Sequence, residues 1–472
     1  MPGAKEVTYH GKTVLIVGAA RSGIAAAEFL LARGARVVLT DIKNLEALVP
    51  AIAPLQSLAE ESGELILELG GHKSESFRKC DFVVVSPGVP LALPFFEESR
   101  KARVPVIAEV ELAARHLQGK ILGITGSNGK TTTTTLVADL LNGAGLKGHA
   151  AGNIGIPLMS YVAGSTPEDI YATELSSFQL EGVEKFRPFV GSILNLTPDH
   201  LDRYPGFEAY IEAKKRIFMN QTVSDFAVLN ADDPKTAAIG AEVISQPILF
   251  SRRSEPVRGA FVRVGKLFYR DGHGEQELFS TSDIRLKGEH NLENVLAACA
   301  IALLAGAAPS TLRNVIRNFK GVEHRLEWVA EIGSIQYFND SKATNVDATI
   351  KSLRAFPGNI HLIAGGRDKG GDFTLLQPLV RERVKQLVLI GEAREKIREA
   401  LQGVVDTSEA ASLHEAVILC SRRASPGDVV LLAPACASFD MFRNYEHRGQ
   451  VFKQAVRELK RASEAVRERH GL

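Results

Sequence analysis

Lys130 and Thr131 lie near the end of Gly123-Ile124-Thr125-Gly126-Ser127-Asn128-Gly129-Lys130-Thr131-Thr132, a stretch whose residue types suit phosphate chemistry. A lysine there reaches the terminal phosphates of a nucleotide, and the threonine hydroxyl holds Mg²⁺. The backbone N–H groups of such a turn converge on the anion, and the helix that follows adds its positive end. The general phosphate-loop spacing asks for glycine at 124, which is Ile; Gly123 and Gly126 flank it instead. An ordinary glycine-rich turn between a strand and a helix is the alternative reading.

Other polar residues of chemical interest also follow apolar runs. Glu174 ends a run at 169–173, and His200 lies just beyond another at 190–194. On a parallel sheet both share the edge that carries Lys130, where a carboxylate and an imidazole suit Mg²⁺ ligands or their outer-shell partners. A helix-N-terminal acid and a helix cap are the alternatives. Lys214-Lys215-Arg216 falls in a helical pattern over 208–218 and reads, by residue type alone, as a solvated face. Asn291 and Asn294 open an Ala-rich helix as caps or as purine contacts. Toward the C-terminus, runs at 335–338, 360–364 and 428–432 precede loops carrying Lys342, Lys369 and Ser438, a set that points to an anionic ligand. Near the N-terminus, 12–17 leads into Gly18-Ala19-Ala20-Arg21-Ser22-Gly23, and a second strand ends at Asp41. That is a dinucleotide-type βαβ unit, but Ala20 replaces the middle glycine and weakens a nicotinamide reading. Ser86-Pro87-Gly88 follows the strand at 82–85 on the same edge.

Repeated strand–loop–helix units favour doubly wound sheets, and 472 residues at about 150 per domain suggest three domains. From 248 to 285, short strands with Gly and Asp turns read as a β-rich flap. A net charge of +1 leaves no footprint for a polyanion, so nucleic acid is not an expected partner. Cys80, Cys299, Cys420 and Cys436 are scattered, which suits a reducing, cytoplasmic setting rather than a disulfide framework. The apolar segment 295–308 is too short to span a bilayer and reads as a core helix. At 13–20, a short apolar run has acid and base around it and glycines after it, against a secretory signal.

Together these motifs resemble the Mur ligase family over nearly the whole chain. The resemblance rests on the displaced glycine of the phosphate loop, Gly152-Asn153-Ile154-Gly155, Glu174, His200 and His324-Arg325. Glu174 to Leu180, Asp199 to Tyr204, Asp340 to Asn345 and Pro434 to Ser438 are similar to the D-glutamate-adding branch. It implies a Rossmann-like N-terminal sheet (1–112) for the UDP end of a precursor, a central P-loop ATPase sheet (113–322) and a Rossmann-like C-terminal sheet (323–472) for the amino acid. Gly126, Ser127, Asn128, Gly129, Lys130, Thr131, Thr132, Asn294, Arg325 and Asp340 match ATP positions. Gly18, Ser22, Asp41, Ile42, Ser86, Asn153 and Ser176 match the UDP-substrate site. Lys342, Thr344, Lys369, Ser438, Phe439 and Tyr445 match D-glutamate contacts. Two Mg²⁺ ions are implied, on Thr131, Glu174, His200 and Lys214, the last as a carbamate made from CO₂.

The implied activity is ATP-dependent addition of D-glutamate to UDP-N-acetylmuramoyl-L-alanine through an acyl phosphate, in peptidoglycan precursor synthesis. Lys130, His200 and Lys214 are its catalytic candidates, and a monomer is expected. A folylpolyglutamate-synthetase-like ligase is disfavoured by the uridine-binding half. A guanine-reading nucleotide switch is disfavoured because the strand end reads Asn195-Leu196-Thr197-Pro198-Asp199-His200. Ala20 and the second nucleotide loop disfavour a dehydrogenase.

Overall fold

The computed structural model describes residues 9–62, 64–153, 155–199, 203–286 and 288–470. It is a three-domain α/β architecture built on three sheets. The N-terminal sheet is parallel in the order β3-β2-β1-β4-β5. Its strands are β1 (Thr13–Val17), β2 (Arg36–Asp41), β3 (Glu64–Leu69), β4 (Phe82–Val85) and β5 (Val106–Ala108). After Thr13, β1 is apolar and buried from Val14 to Val17, as a parallel strand covered on both faces must be.

The central sheet contains β6 (Lys120–Thr125), β7 (Lys147–Gly152), β8 (Asp169–Glu174), β9 (Val190–Ile193), β10 (Phe226–Asn230), β11 (Gln246–Ser251), β12 (Gly259–Arg263), β13 (Lys266–Arg270) and β14 (Glu275–Ser280). Their order is β14-β13-β12-β11-β10-β9-β6-β8-β7. Pairing is parallel from β7 through β12 and antiparallel across β12, β13 and β14. The stretch read as a flap is therefore the edge of this sheet. β11 and β12 continue the parallel register, and only β13 and β14 turn back.

The third sheet contains β15 (Glu327–Ile332), β16 (Ile335–Asn339), β17 (Ile360–Gly365), β18 (Val384–Ile390), β19 (Thr407–Glu409) and β20 (Val429–Leu432), in the order β15-β16-β20-β17-β18-β19. Only β15 pairs antiparallel.

The chain forms two compact units. The first comprises residues up to Asp283 with Glu293–Ile316 and holds the first two sheets; the second comprises Ile284–Leu292 and Arg317 onward and holds the third. Within the first unit one apolar core runs beneath both sheets, from Val14 and Leu30 to Leu175 and Ile217. Glu111 fastens them further, its carboxylate accepting backbone N–H groups of Glu184, Lys185 and Phe186. In all three sheets the parallel strands present their carboxyl ends to the loops singled out above. Among the described residues, no helix is long and apolar enough to cross a membrane.

Candidate active site

The phosphate loop connects β6 to the helix Lys130–Gly143. Gly129 has φ 85°, and a Cβ there would stand 2.2 Å from Asn294 Oδ1, so neither the backbone nor the space admits a side chain. The loop is tied to the segment after β9. Asn128 N donates to Asn195 Oδ1 (2.8 Å), Asn195 Nδ2 donates to Asn128 O (3.0 Å), and Ser127 Oγ donates to Thr197 O (2.8 Å). Lys130 Nζ donates to Gly126 O and Ser127 O, both at 2.8 Å, which sets the ammonium over the loop it follows.

Beside the loop, Thr131 Oγ1 donates to Glu174 Oε2 (2.7 Å), and Asn153 Nδ2 reaches Glu174 Oε1 (3.2 Å). Glu174 is the last residue of β8 and is buried, so it is a strand-end ligand candidate and not a helix-terminal acid. A hydroxyl and a carboxylate held this close form a hard-oxygen donor set that fits Mg²⁺.

The basic run divides. Tyr210, Ile211, Ala213 and Lys214 face inward from the helix Phe207–Lys215, the spacing of one helical face. Lys214 is 1% exposed. Its Nζ donates to Gly126 O (3.0 Å) and Thr125 Oγ1 (3.2 Å) and lies 4.6 Å from the Tyr210 ring centre. Burial, with the Lys130 charge adding to it, holds Lys214 well below the ordinary lysine range, although Asp199 and Glu174 oppose the shift. Lys215 instead pairs with Glu212 (2.9 Å) and Glu242 (2.5 Å) toward solvent. The solvated-face reading of residue types thus fails for Lys214 and holds for Lys215, because successive helix positions point about 100° apart.

His200 lies outside the described residues. The helix opened by the two asparagines begins at Glu289, so Asn294 is inside it and caps nothing; its side chain meets the phosphate loop at Gly129.

In the N-terminal sheet, Gly18, Asp41 and Ser86 converge. Ser86 Oγ donates to Gly18 O (2.9 Å), and Asp41 accepts Ala19 N at Oδ2 (2.7 Å) and Lys43 N at Oδ1 (2.9 Å). Asp41 therefore clips the glycine loop to the end of β2. Ile42 is 74% exposed, and Ser22 is half-buried at the start of the helix Arg21–Leu31. Ser176 caps the helix Ser177–Glu181 in a capping box with Gln179, which commits its hydroxyl. A cleft beside these groups is lined by Ser86, Val89, Leu91, Phe178 and Gln179. Arg203 lies over the Phe178 ring, 3.5 Å from its centre.

In the second unit, adjacent strands bring three loops together. After β17 and β20, Arg367 and Ala437 exchange backbone hydrogen bonds (2.9 and 3.0 Å), which sets the Lys369 and Ser438 loops side by side. After β16, Lys342 N donates to His324 O (3.1 Å), and its Nζ lies 5.0 Å from the Tyr445 ring centre. Thr344 N donates to Lys342 O within that loop (2.8 Å). Lys369 is exposed, Ser438 buried and Phe439 64% exposed. Asp340 is buried, which pushes its carboxyl up to about 6, and Ser352 donates to it. Arg325 is half-buried at the His324 corner, and its charge opposes the rise at Asp340.

Residue patterns did not single out Asn195, Tyr210 or Arg448 as site-building groups. Asn195 had a usable signal, its place just past a strand. Tyr210, whose hydroxyl donates to Ser127 Oγ (3.2 Å), and Arg448 read as ordinary helix residues because their partners are 83 and 107 positions away.

Three family models match: the Mur ligase MurD-like N-terminal domain over residues 12–108, the Mur ligase middle domain over 124–302 and the Mur ligase glutamate ligase domain over 324–436. The UDP-N-acetylmuramoylalanine--D-glutamate ligase of Koribacter versatilis is 49% identical over 95% of this chain and 98% of its own. The corresponding ligase of Acidobacterium capsulatum is 51% identical over 94% and 96%. Among solved structures, a pseudomurein peptide ligase type C from Methanothermus fervidus matches with TM-score 0.60 at 19% identity, covering 95% of this chain and all of that one. UDP-N-acetylmuramate-alanine ligase MurC from Thermotoga maritima matches with TM-score 0.60 at 18% identity, with the same coverage. These two share the fold. At the identity and coverage of the sequence relatives, the chain belongs to the Mur ligases, in the family of the UDP-N-acetylmuramoylalanine--D-glutamate ligases.

Proposed function

We propose that the protein joins D-glutamate to UDP-N-acetylmuramoyl-L-alanine at the expense of ATP, a step of peptidoglycan precursor synthesis. The observation that supports this most is the convergence of Lys130, Thr131, Glu174 and Lys214 on one phosphate loop in a chain nearly half identical to ligases of that name.

The precursor's carboxylate oxygen attacks the γ-phosphorus of ATP, ADP leaves, and an acyl phosphate forms. The amine of D-glutamate then attacks the acyl carbon, phosphate leaves, and the amine gives up a proton, with His200 the candidate acceptor. Lys130 offsets charge gathering on the transferred phosphoryl group. Thr131 and Glu174 would hold one Mg²⁺, and His200 and Lys214 a second; the ions would supply charge stabilisation for the transferred phosphoryl group.

Lys214 contributes as a carbamate. Its neutral amine bonds to the carbon of CO₂, a proton leaves, and the side chain changes from a would-be cation into a carboxylate-like anion. The depressed lysine described above supports this, because only the unprotonated amine can attack.

Gly126, Ser127, Asn128, Gly129, Thr132, Asn294, Arg325 and Asp340 serve ATP. Gly18, Ser22, Asp41, Ile42, Ser86, Asn153 and Ser176 serve the UDP precursor. Lys342, Thr344, Lys369, Ser438, Phe439 and Tyr445 serve D-glutamate. We place the domain boundaries at 112/113 and 322/323, and the enzyme in the cytoplasm as a monomer. The test is phosphate release from ATP with UDP-N-acetylmuramoyl-L-alanine and a panel of amino acids. Release stimulated by D-glutamate alone is the expected result; release without any amino acid would contradict it.

A further inference from the structure

We infer that Lys453 is a positioning residue that holds a strained backbone corner at His324–Leu326, and with it Arg325. The inference rests on the function proposed above, which gives Arg325 its ATP contact. His324 and Leu326, on either side of Arg325, have φ 66° and φ 42°. Left-handed backbone is costly for such residues and persists where the surroundings over-determine it.

Two carboxylates do so here. Glu327 Oε2 accepts His324 N (2.9 Å), and the Asp340 carboxylate accepts a backbone hydrogen bond from Leu326. Asn339 Nδ2 joins Glu327 Oε2 (2.9 Å) to His324 Nδ1 (2.9 Å). The remaining Glu327 oxygen, Oε1, accepts Lys453 Nζ (3.0 Å), and the same ammonium bonds Glu323.

Glu323, His324 and Glu327 lie close enough together to resemble a metal cluster. A cation already serves its two carboxylates, however, and it is 5% exposed. Lys453 therefore does what a metal would do: it keeps two carboxylates side by side and aims one of them at the corner.

Lys453 is the last of three residues spaced by four on the helix Tyr445–His470, so it shares a face with Tyr445 and Gly449. The Tyr445 ring meets His324 edge-on at 6.2 Å. A Cβ on Gly449 would stand 2.1 Å from His324 Nδ1, so the glycine admits the imidazole. His324 O in turn accepts Lys342 N. One helix face thus seats the corner that carries Arg325 and the loop that carries Lys342.

The test is Lys453→Met, with ATP affinity measured by equilibrium binding and steady-state constants for all three substrates. Weakening of ATP by about tenfold is expected, with a parallel rise in the KM for D-glutamate, little change for the UDP precursor, and recovery in Lys453→Arg. Unchanged ATP and D-glutamate constants, with only a lower denaturation midpoint, would show a merely structural lysine and overturn the inference. Should Lys453→Met not fold, Lys453→Gln combined with Glu323→Gln removes the repulsion and carries the same comparison. Wild-type protein that binds ATP but ignores D-glutamate would instead refute the proposed function and leave the ATP arm readable.

Discussion

Arg448 and Lys214 are both cationic side chains taken out of water, one in each compact unit, with 0% and 1% exposure. Arg448 has an acceptor for every part of its fork. It donates to Ser341 Oγ (3.0 Å), Ser341 O (2.7 Å), Cys436 O (3.1 Å) and Ala437 O (3.3 Å). Burial pulls it down to about 10, and it remains a cation at neutral pH. Lys214 has a carbonyl, a hydroxyl and the repelling charge of Lys130. Burial of a cation is tolerated when its donors are matched, so one site keeps its charge as a brace between two loops. At the other, burial and the Lys130 charge disfavour the proton, as the proposed carbamate requires. Burial alone does not distinguish a structural cation from a reactive one; the matching of donors to acceptors does.

The largest effect should come from removing the reactive member. Lys214→Ala is expected to lower turnover on the order of a thousandfold, the scale of losing a preorganised electrostatic group, with recovery on addition of a short carboxylic acid. Normal turnover without rescue would show that Lys214, like Arg448, is a structural cation. Next, Arg448→Met should leave three carbonyls and a hydroxyl short of donors and destabilise the fold by about 3 kcal/mol, read as a lower urea midpoint. A loss of turnover at unchanged stability would make Arg448 functional instead.

The third effect has the opposite sign. The folded chain disfavours the proton on Lys214 and the unfolded chain does not, so the unfolded state binds more protons below the ordinary lysine pKa of about 10.4. Stability should therefore rise with pH through the window between the depressed folded value and that point. In CO₂-free buffer, Lys214→Met should be more stable than wild type by about 1 kcal/mol at neutral pH, and the slope should vanish. The smallest effect belongs to the neighbour. Lys215→Ala removes exposed ion pairs of about 0.5 kcal/mol and should change turnover less than twofold.

The strand ends were legible in the sequence because apolar runs closed by Gly, Asn or an acid report a buried parallel strand and its loop, as at Gly126, Glu174 and Asn339. The assignment of roles to those loops came from family resemblance, since a loop's residue types do not say which ligand it faces. Lys214 was misread by type because a basic triplet carries no record of helix phase; the phase is set by Tyr210, Ile211 and Ala213 packing inward. Arg448 was invisible for another reason. Its role depends on Ser341, 107 positions away, and no local pattern encodes that pairing. The strained corner at His324 was equally hidden, since nothing in His324-Arg325-Leu326 marks positive φ.

The most direct measurement is ¹³C NMR of the protein in ¹³C-labelled bicarbonate, with wild type and Lys214→Ala side by side. The account requires a protein-bound carbamate carbon in wild type that is lost in Lys214→Ala. A fully active wild-type protein with no such resonance would contradict it.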